Sequence, residues 1–328
     1  MMHSPPKIAY TICSANHLAY AKTMADSLLQ VAPEYMVMIG LADRINNRFS
    51  VDEFLPHQLI EVEQLAIPAF GSMSRQYTLI ELNCAMKPFL AQYILDREQP
   101  DILLYIDADI FFYQSIAPIE AVLTQNAIAI TPHFFTPIND GALPMERDVL
   151  RSGIYNAGFI AMKNNAITQS FLQWWAERLT NQCYYNFAEG MAVDQNWLNL
   201  VPLFFENVAI VQHKGCNVAY WNLHERNLTV RNHAVWVNET ELLIFLHISG
   251  YKFETPHILS KHQTRFQLSE LPVLQNLLEN YRALVNKNGY ARYCQMPCFF
   301  ARPIKKSTGI MAFINRVLQP LGIKITNT

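Results

Sequence analysis

Strand-like and helix-like segments alternate along most of the chain, and this alternation limits the possible folds more than any other feature of the sequence. Apolar runs of strand length occupy residues 7–14, 34–43, 57–65, 103–112, 127–134 and 241–251. Apolar residues at helical spacing occupy residues 16–33, 77–96, 115–126, 167–182 and 271–285. Strands that alternate with helices form a mostly parallel sheet with helices on both faces. We therefore predict an α/β, Rossmann-like fold, with a kink or break at Pro88 and a loop over 137–152.

Charge divides the chain into two predicted regions. Seven Lys or Arg and no acidic residue lie in 286–328, so residues 1–285 have 18 basic against 27 acidic residues, a net charge of −9. Hydrophobic residues make up 51% of the chain, which is typical of a globular protein. We predict a folded domain over 1–285 and a basic, amphipathic C-terminal tail over 286–328. The tail is expected to bind its own acidic body or an anionic membrane surface.

Composition also excludes several classes of protein. The net charge of the whole chain is −2, which argues against nucleic acid as a partner. The six cysteines are scattered without the paired spacing of a zinc site, so they are interpreted as reduced thiols. The N-terminal residues do not resemble a signal peptide, and no apolar run reaches the length of about 18 residues that a spanning helix needs. We expect a cytoplasmic protein, at most peripheral on the inner face of the membrane.

Two carboxylates interrupt a run that is otherwise apolar, "LLYIDADIFF" (103–112). Charged groups are costly to bury, so Asp107 and Asp109 need a compensating partner. At positions i and i+2 of a regular strand they would point to the same side, at the edge where α/β sheets bind ligands. A divalent metal that holds a diphosphate would relieve their repulsion. The alternative is a pair of solvated or capping aspartates at a strand end.

Four segments in order along the chain resemble motifs of known enzymes. "YIDADI" resembles the D-x-D strand of glycosyltransferases with the GT-A fold. "YNAGFIAMK" (155–163) is similar to the Asn-small-Gly strand start of the family 8 type, which retains anomeric configuration. "DQNWLN" (194–199) and "FLHISGYKF" (245–253) are similar to that family's Asp-Gln-x-x-Leu-Asn and H-x-x-G-x-x-K elements. The resemblance covers roughly residues 7 to 255 and implies a GT-A fold.

The resemblance also implies a metal site and a phosphate site. Asp107, Asp109 and His247 would be the metal ligands, with Asp107 also touching the donor. An imidazole ligand favours Mn²⁺ over Mg²⁺. Gly250 would let the backbone approach a phosphate, and Lys252 would offer its charge to the leaving diphosphate. A histidine at a strand end can also be purely structural.

Other residues are assigned to the sugar. The resemblance places the amide of Asn156 and the carboxylate of Asp194 on its hydroxyls, with Gln195 near the reacting face. Because Gln195 is a poor nucleophile, same-face attack guided by the leaving phosphate is favoured over a covalent intermediate. Asp194 could instead be a helix N-cap, and Gly158 could serve only close strand packing.

The nucleotide is expected at the end of the first strand, near Ser14 and Asn16, although the family usually has an acidic residue at or near position 16. Lys87 and Arg75 could reach the donor phosphates or lie on a solvated helix face, and Lys87 is the preferred candidate. A further group rich in amide, imidazole and aromatic side chains is expected to line the sugar side or to pack as a loop over the core: Asn217, Tyr220, Trp221 and His224.

The predicted function is hexosyl transfer from a nucleotide-diphosphate sugar, such as a UDP-sugar, to a glycan or lipid-linked acceptor in cell-surface polysaccharide biosynthesis. Phe253 and Glu254 stand where the family often has Pro-Trp, so the lid over the diphosphate is expected to differ. Nucleotidyl transfer is one alternative, although the stretch after the first strand has no glycine-rich phosphate loop. A non-catalytic sugar- or nucleotide-binding protein with the same fold is the other.

Overall fold

The computed structural model describes residues 6–301. The strands are β1 Lys7–Cys13, β2 Tyr35–Leu41, β3 Gln58–Glu61, β4 Ile102–Ile106, β5 Ile110–Phe112, β6 Ile128–Pro132, β7 Tyr155–Lys163, β8 Tyr185–Asn186, β9 Met191–Ala192, β10 Val208–Ile210, β11 Leu228–Arg231, β12 Ala234–Val237, β13 Glu241–Leu242 and β14 Phe245–His247. The α-helices are α1 Leu18–Val31, α2 Phe70–Gln76, α3 Leu79–Ala85, α4 Lys87–Glu98, α5 Ala117–Leu123, α6 Glu146–Ser152, α7 Ala166–Asn181, α8 Val201–Phe204, α9 Pro272–Lys287 and α10 Tyr290–Tyr293.

A seven-stranded sheet in the order β10-β6-β7-β4-β1-β2-β3 forms the centre of the molecule. Neighbouring strands are parallel except for β7, which runs antiparallel to both β4 and β6. The other six strands therefore end at the same edge, and β7 begins there. The connection β1 to β2 leads to one side of β1, whereas β4 lies on its other side. This reversal leaves a crevice at the carboxyl ends of β1 and β4, where α/β sheets bind ligands.

The two faces of the sheet bury separate sets of side chains. Along β1, Ile8, Tyr10 and Ile12 pack on one face, against α4 and α7, and Ala9 packs on the other, against α1 and α5. This alternation is the two-residue period of a strand, and both faces are apolar because helices cover both. The predicted α/β layer architecture is confirmed.

The predicted strand over 103–112 is in fact two strands. β4 ends at Ile106, and a turn over Asp107–Asp109 follows, closed by a hydrogen bond from Ile110 N to the Asp107 carbonyl (3.1 Å). β5 then leaves the central sheet and pairs antiparallel with β14. The prediction that both aspartates project from one regular strand is therefore wrong, because the chain turns between them.

Three other predicted elements differ in their boundaries. The strand predicted over 241–251 is two short strands, β13 and β14, which belong to different sheets and end at His247. Residues 137–152 are not all loop, because α6 covers Glu146–Ser152 with Val149 as its buried residue and an acidic first turn. A helix with a single buried position gives no apolar period to detect. The predicted third strand ends early, at Glu61, and continues as a 3-10 helix over Val62–Leu65. The predicted break at Pro88 is confirmed, because α3 ends at Ala85 and α4 begins at Lys87.

The first part of the predicted tail, residues 286–301, packs on the acidic body. Arg292 and Tyr293 both contact the Glu53 carboxylate, at 2.6 and 2.8 Å. Phe299 N donates to Asp43 Oδ1 (2.9 Å), and the Arg44 guanidinium lies 3.8 Å from the centre of the Phe299 ring. The remainder of the tail, 302–328, lies outside the described residues. Within 6–301, none of the helices has the length and apolar character needed to cross a bilayer.

Candidate active site

Three potential metal ligands meet at the edge where the parallel strands end. Asp107 and Asp109 flank the turn after β4, and His247 is the last residue of β14. Their ligand atoms all lie within 4.8 Å of one another. His247 Nε2 is 3.2 Å from Asp109 Oδ1 and 3.8 Å from Asp107 Oδ2. The pairing of β5 with β14 produces this cluster, because it sets His247 opposite Ile110, the residue after Asp109.

The hydrogen bonds of His247 fix the orientation of its ring. Nδ1 donates to Asn156 Oδ1 (3.1 Å) and Asn217 Oδ1 (3.2 Å). Asn156 Oδ1 also accepts from Gly158 N (3.1 Å), which orients that amide. Nε2 faces the two carboxylates, and although burial opposes the charge, they raise the pKa of the ring. A metal would take the place of the Nε2 proton, as in histidines that bind metals. Two carboxylates and one imidazole nitrogen in this arrangement fit a divalent cation.

Lys87 is buried beside the same cluster. Its side chain is 4% exposed, and Nζ lies 2.7 Å from Asp194 Oδ2 and 3.4 Å from Asp107 Oδ1. Nζ also donates to the carbonyl of Ala157 (3.0 Å). Burial opposes the charge, but the carboxylates of Asp107 and Asp194 outweigh it and raise the pKa of Lys87 well above its usual value. The interpretation of Lys87 as part of a solvated helix face is therefore wrong.

Asp194 and Gln195 are held by different partners. Asp194 occupies the N-cap position of the 3-10 helix Gln195–Leu200, but its side chain makes no capping hydrogen bond and faces Lys87 instead. Gln195 Oε1 accepts from Asn156 Nδ2 (3.2 Å) and Ala157 N (3.1 Å), and its Nε2 donates to the Ser152 carbonyl (2.9 Å). These hydrogen bonds hold the Gln195 amide against the start of β7.

A cavity of about 320 Å³ opens onto these groups. Its lining includes most of the predicted metal and sugar residues, namely Lys87, Asp107, Asp109, Asn156, Asp194, Gln195, Tyr220, Trp221 and His247. Asn217 lies behind His247 and is fully buried. The structure thus brings predicted residues from six separate stretches of sequence to one cavity.

Sequence reasoning missed several residues of this cavity, among them His133, Tyr185, Phe187 and His262. His133 had a usable signal, because it follows β6 directly and so lies at the edge where the parallel strands end. Its Nδ1 donates to the Ile154 carbonyl (3.0 Å), and burial lowers the pKa of the ring to about 4. His133 is therefore neutral at neutral pH, and its Nε2 accepts from Asn156 Nδ2 (3.5 Å). Tyr185 begins the two-residue strand β8, Phe187 and His262 lie in turns, and none of the three belongs to a local motif.

Several predicted residues lie outside this lining. Lys252 is exposed in the turn that follows β14, and Gly250 in that turn has a φ of +74° and abuts Ser260 and His262. His224 packs on Phe134, with ring centres 5.6 Å apart. Arg75 is exposed on α2.

The two residues predicted to meet the nucleotide contact each other at the end of β1. Ser14 Oγ donates to Asn16 Oδ1 (2.7 Å). The Cys298 thiol of the C-terminal segment also donates to Asn16 Oδ1 (3.3 Å). This group lies at the carboxyl ends of β1 and β2, beside the crevice described above.

Comparison with known proteins finds relatives in sequence and in structure. No protein-family model matches the chain. Two uncharacterized proteins of Bacillus subtilis (strain 168) are similar in sequence. YfnF is 26% identical over 286 residues, which cover 82% of this chain and 89% of YfnF. YfnD is 22% identical over 251 residues, which cover 75% of this chain and 78% of YfnD.

The architecture is also found among solved structures. The galactosyltransferase LgtC, in complex with donor and acceptor sugar analogs, superposes with a TM-score of 0.50 at 15% identity. The superposition covers 85% of this chain and 95% of LgtC. The central sheet of this chain and the helices around it therefore form the GT-A fold that the sequence predicted.

Proposed function

We propose that this protein is a metal-dependent glycosyltransferase of the family 8 type that uses a nucleotide-diphosphate sugar, with a UDP-sugar as the first candidate. The observation that supports this most directly is the cluster of Asp107, Asp109 and His247 at the ligand-binding edge of a GT-A fold. The acceptor would be a glycan or a lipid-linked saccharide of a cell-surface polysaccharide. The donor would lie between the ends of β1 and β4, with its base toward Ser14 and Asn16.

Each side chain has a distinct role in this proposal. A divalent ion, Mn²⁺ for preference, would neutralise charge on the diphosphate when bound to Asp107, Asp109 and His247. Lys87 stays charged and adds a fixed positive potential beside Asp107. Asn156 and Asp194 would hold the hydroxyls of the donor sugar. Lys252 and the backbone of Gly250 would meet the leaving diphosphate from the turn after β14.

For a transfer with retention, the side chain of Gln195 favours same-face attack over a covalent intermediate, because an amide is a poor nucleophile. Its amide is engaged on both sides by Asn156, Ala157 and Ser152. In a same-face reaction, the bond between the anomeric carbon and the phosphate oxygen breaks. The acceptor hydroxyl oxygen then forms the new bond, and its proton passes to the leaving phosphate oxygen. Gln195 would position the sugar without forming a covalent bond to it.

The proposal is tested by screening nucleotide sugars for slow hydrolysis and by measuring UDP and GDP binding with and without Mn²⁺. We expect nucleotide binding that requires the metal, and hydrolysis of one donor class. Nucleotide binding that is independent of the metal would contradict the assigned site. Metal-dependent binding without any hydrolysis or transfer would identify a non-catalytic binding protein.

Replacement of Asp109 by Asn tests the ligand set directly. The variant keeps the shape of the side chain but loses a charged metal ligand, so turnover should fall at least about 100-fold while the thermal unfolding curve stays close to that of the wild type. Asp96→Asn on the exposed side of α4 is the matched control and should keep full activity. Near-normal transfer by Asp109→Asn would rule out this metal site.

The basic tail is proposed to add a reversible membrane contact. Each basic group near an anionic leaflet contributes on the order of 1 kcal/mol. Because residues 286–301 pack on the body, the informative comparison is between the full chain and a chain that ends at Ala301. Only the full chain should sediment with phosphatidylserine vesicles, and neither should sediment with phosphatidylcholine vesicles. Equal binding by both chains would mean that residues 302–328 do not contribute to membrane binding.

A further inference from the structure

A second cavity, larger than the first, opens beside the proposed donor site. Its volume is about 710 Å³, against about 320 Å³ for the cavity at the metal ligands. The two cavities share wall residues, among them His133, Ser152, Tyr220, Trp221 and His262. A molecule in the second cavity would therefore reach the sugar-binding end of the first.

The walls of the second cavity are unusually apolar for a surface in contact with water. Four of its large side chains are well exposed: Ile80 (60%), Leu143 (41%), Tyr185 (53%) and Phe187 (46%). Pro144 and Val149 extend the same surface. Single exposed apolar side chains are normal, but several that converge on one groove indicate a surface with a function. This groove therefore suits a ligand that has an apolar part.

Positive charge lies at the same groove, although residues 1–285 have a net charge of −9. Arg151 and Lys261 line the cavity together with one acidic residue, Asp148. Asp148 is already engaged, because it accepts from Met145 N (2.9 Å) and lies 3.4 Å from Arg151. Lys261 makes no ion pair with any acidic residue in the described part of the chain. At least one cationic charge is thus left for an anionic ligand.

The apolar wall and the positive charge of the groove meet at Phe187. The Arg151 guanidinium lies 4.6 Å from the centre of the Phe187 ring, and its side chain is 54% exposed. A guanidinium that lies over an aromatic ring can still donate hydrogen bonds from its N–H groups to the oxygens of a phosphate. The groove thus places a phosphate-binding group directly beside an apolar wall.

We infer that the second cavity binds an acceptor in which a saccharide is joined through a phosphate to an apolar chain. Arg151 and Lys261 contact the phosphate, and Ile80 and Leu143 contact the first part of the apolar chain. The aromatic rings of Tyr220 and Trp221, which both cavities share, face the saccharide. This inference names the acceptor class of the proposed glycosyltransferase and so rests on that proposal for its role in the reaction.

Three soluble probes with the same sugar separate the contributions. They are glucose 1-phosphate, decyl glucoside, and glucose joined through a phosphodiester to a decyl chain. Binding is measured by calorimetry on the full chain, without donor and below micelle-forming concentrations. We expect the phosphodiester probe to bind at least about tenfold more tightly than either of the others, because charge-assisted hydrogen bonds and apolar burial both contribute.

Matched variants assign each contribution to its residues. Arg151→Gln with Lys261→Gln should weaken the phosphodiester probe about tenfold and leave decyl glucoside unchanged. Ile80→Ser with Leu143→Ser should weaken both decyl probes and leave glucose 1-phosphate unchanged. The controls are Arg97→Gln, which removes a guanidinium 4.9 Å from the Tyr93 ring, and Val230→Ser, which removes an apolar side chain that is 61% exposed.

Each outcome decides the inference. It is overturned if the three probes bind equally, if none binds, or if the groove variants behave like the controls. Because probe binding is measured without donor, it stays separate from the hydrolysis screen that tests the proposed function. Donor hydrolysis without preference for the phosphodiester probe would leave a glycosyltransferase with a different acceptor.

Discussion

Lys87 is the residue on which the charge balance of the site depends most. It is the cation that compensates the buried carboxylate of Asp194 and also lies close to Asp107. A buried ion pair of this kind gives little net stability over an apolar pair, but the loss of one partner leaves an uncompensated charge. Lys87 is therefore needed for the folding of the site as well as for its positive electrostatic potential.

Replacement of Lys87 by Met should lower the free energy of unfolding by about 3–5 kcal/mol, because Asp194 would be buried without a partner. Urea unfolding measures this change. Lys7→Met is the control, since Lys7 pairs with Glu120 and Glu34 at the surface and should cost no more than about 1 kcal/mol. The double variant Lys87→Met, Asp194→Asn should recover part of the loss without recovering activity. Equal costs for the two lysines would contradict this account.

The residues of the site that were predicted from the sequence lie in segments with a recognisable pattern, whereas the residues that were missed do not. Asp107, Asp109 and His247 stand in segments where charge follows an apolar run, so the patterns could be recognised. Tyr185, Phe187 and His262 belong to no recognisable motif, and only tertiary packing brings them to the cavity. The engagement of both sides of the Gln195 amide could not be predicted either, since Ser152 lies more than forty residues away and only the fold brings them together.

The start of β7 holds two of the metal ligands, His247 and Asp107, in position. Asn156 holds His247 through its side chain, and the Gly158 carbonyl accepts from Asp107 N (2.7 Å). A Cβ at position 158 would collide with the His247 ring and lie within 2.9 Å of Asp107 Oδ2. Glycine is therefore required at this position, because His247 and Asp107 lie too close to leave room for a Cβ.

Gly158→Ala should weaken Mn²⁺ binding by at least tenfold, because overpacking of about 1–3 kcal/mol would push His247 or Asp107 out of place. Metal titration followed by calorimetry measures the effect. Gly71→Ala on α2 is the matched control. Its Cβ would meet only Arg75, at 3.6 Å, so it should leave metal binding unchanged and stabilise the helix by about 0.5–1 kcal/mol. Unchanged metal affinity in Gly158→Ala would argue against the ligand set.

Most elements were predictable because their apolar periods are complete. Strands β1, β2, β4 and β6 and the long helices α1, α4, α7 and α9 all show this pattern. β10 has only three residues and was not predicted. The break between β4 and β5 was not predictable, because Ala108 and the apolar residues on both sides continue the strand pattern through the turn. The antiparallel direction of β7 was also hidden, since direction depends on the connection over 137–152 and not on the strand itself.

At the scale of the whole molecule, the described part of the basic tail belongs to the folded body. Tyr293 is buried against Phe49 and Phe54, with ring centres 5.8 and 5.9 Å away. Its hydroxyl donates to Glu53. The change in charge at residue 286 therefore does not coincide with the end of ordered packing.

Tyr293→Ala should lower the free energy of unfolding by about 3–5 kcal/mol, the usual cost of removing a buried ring. Tyr293→Phe keeps the ring and should cost only about 1 kcal/mol, for the lost hydrogen bond to Glu53. Chemical denaturation of the full chain compares the two. A cost below about 1 kcal/mol for Tyr293→Ala would mean that 286–301 adds little to the stability of the body.

The contacts of Cys298 with Asn16 and of Phe299 with Asp43 also determine where the chain leaves the body. They hold Ala301 next to the ends of β1 and β2, on the side of the molecule where the donor is proposed to bind. A partner that engages residues 302–328 is then tethered to that side. A partner tethered beside a site has a raised effective concentration there. An attachment at the opposite edge of the sheet would give the partner no such advantage.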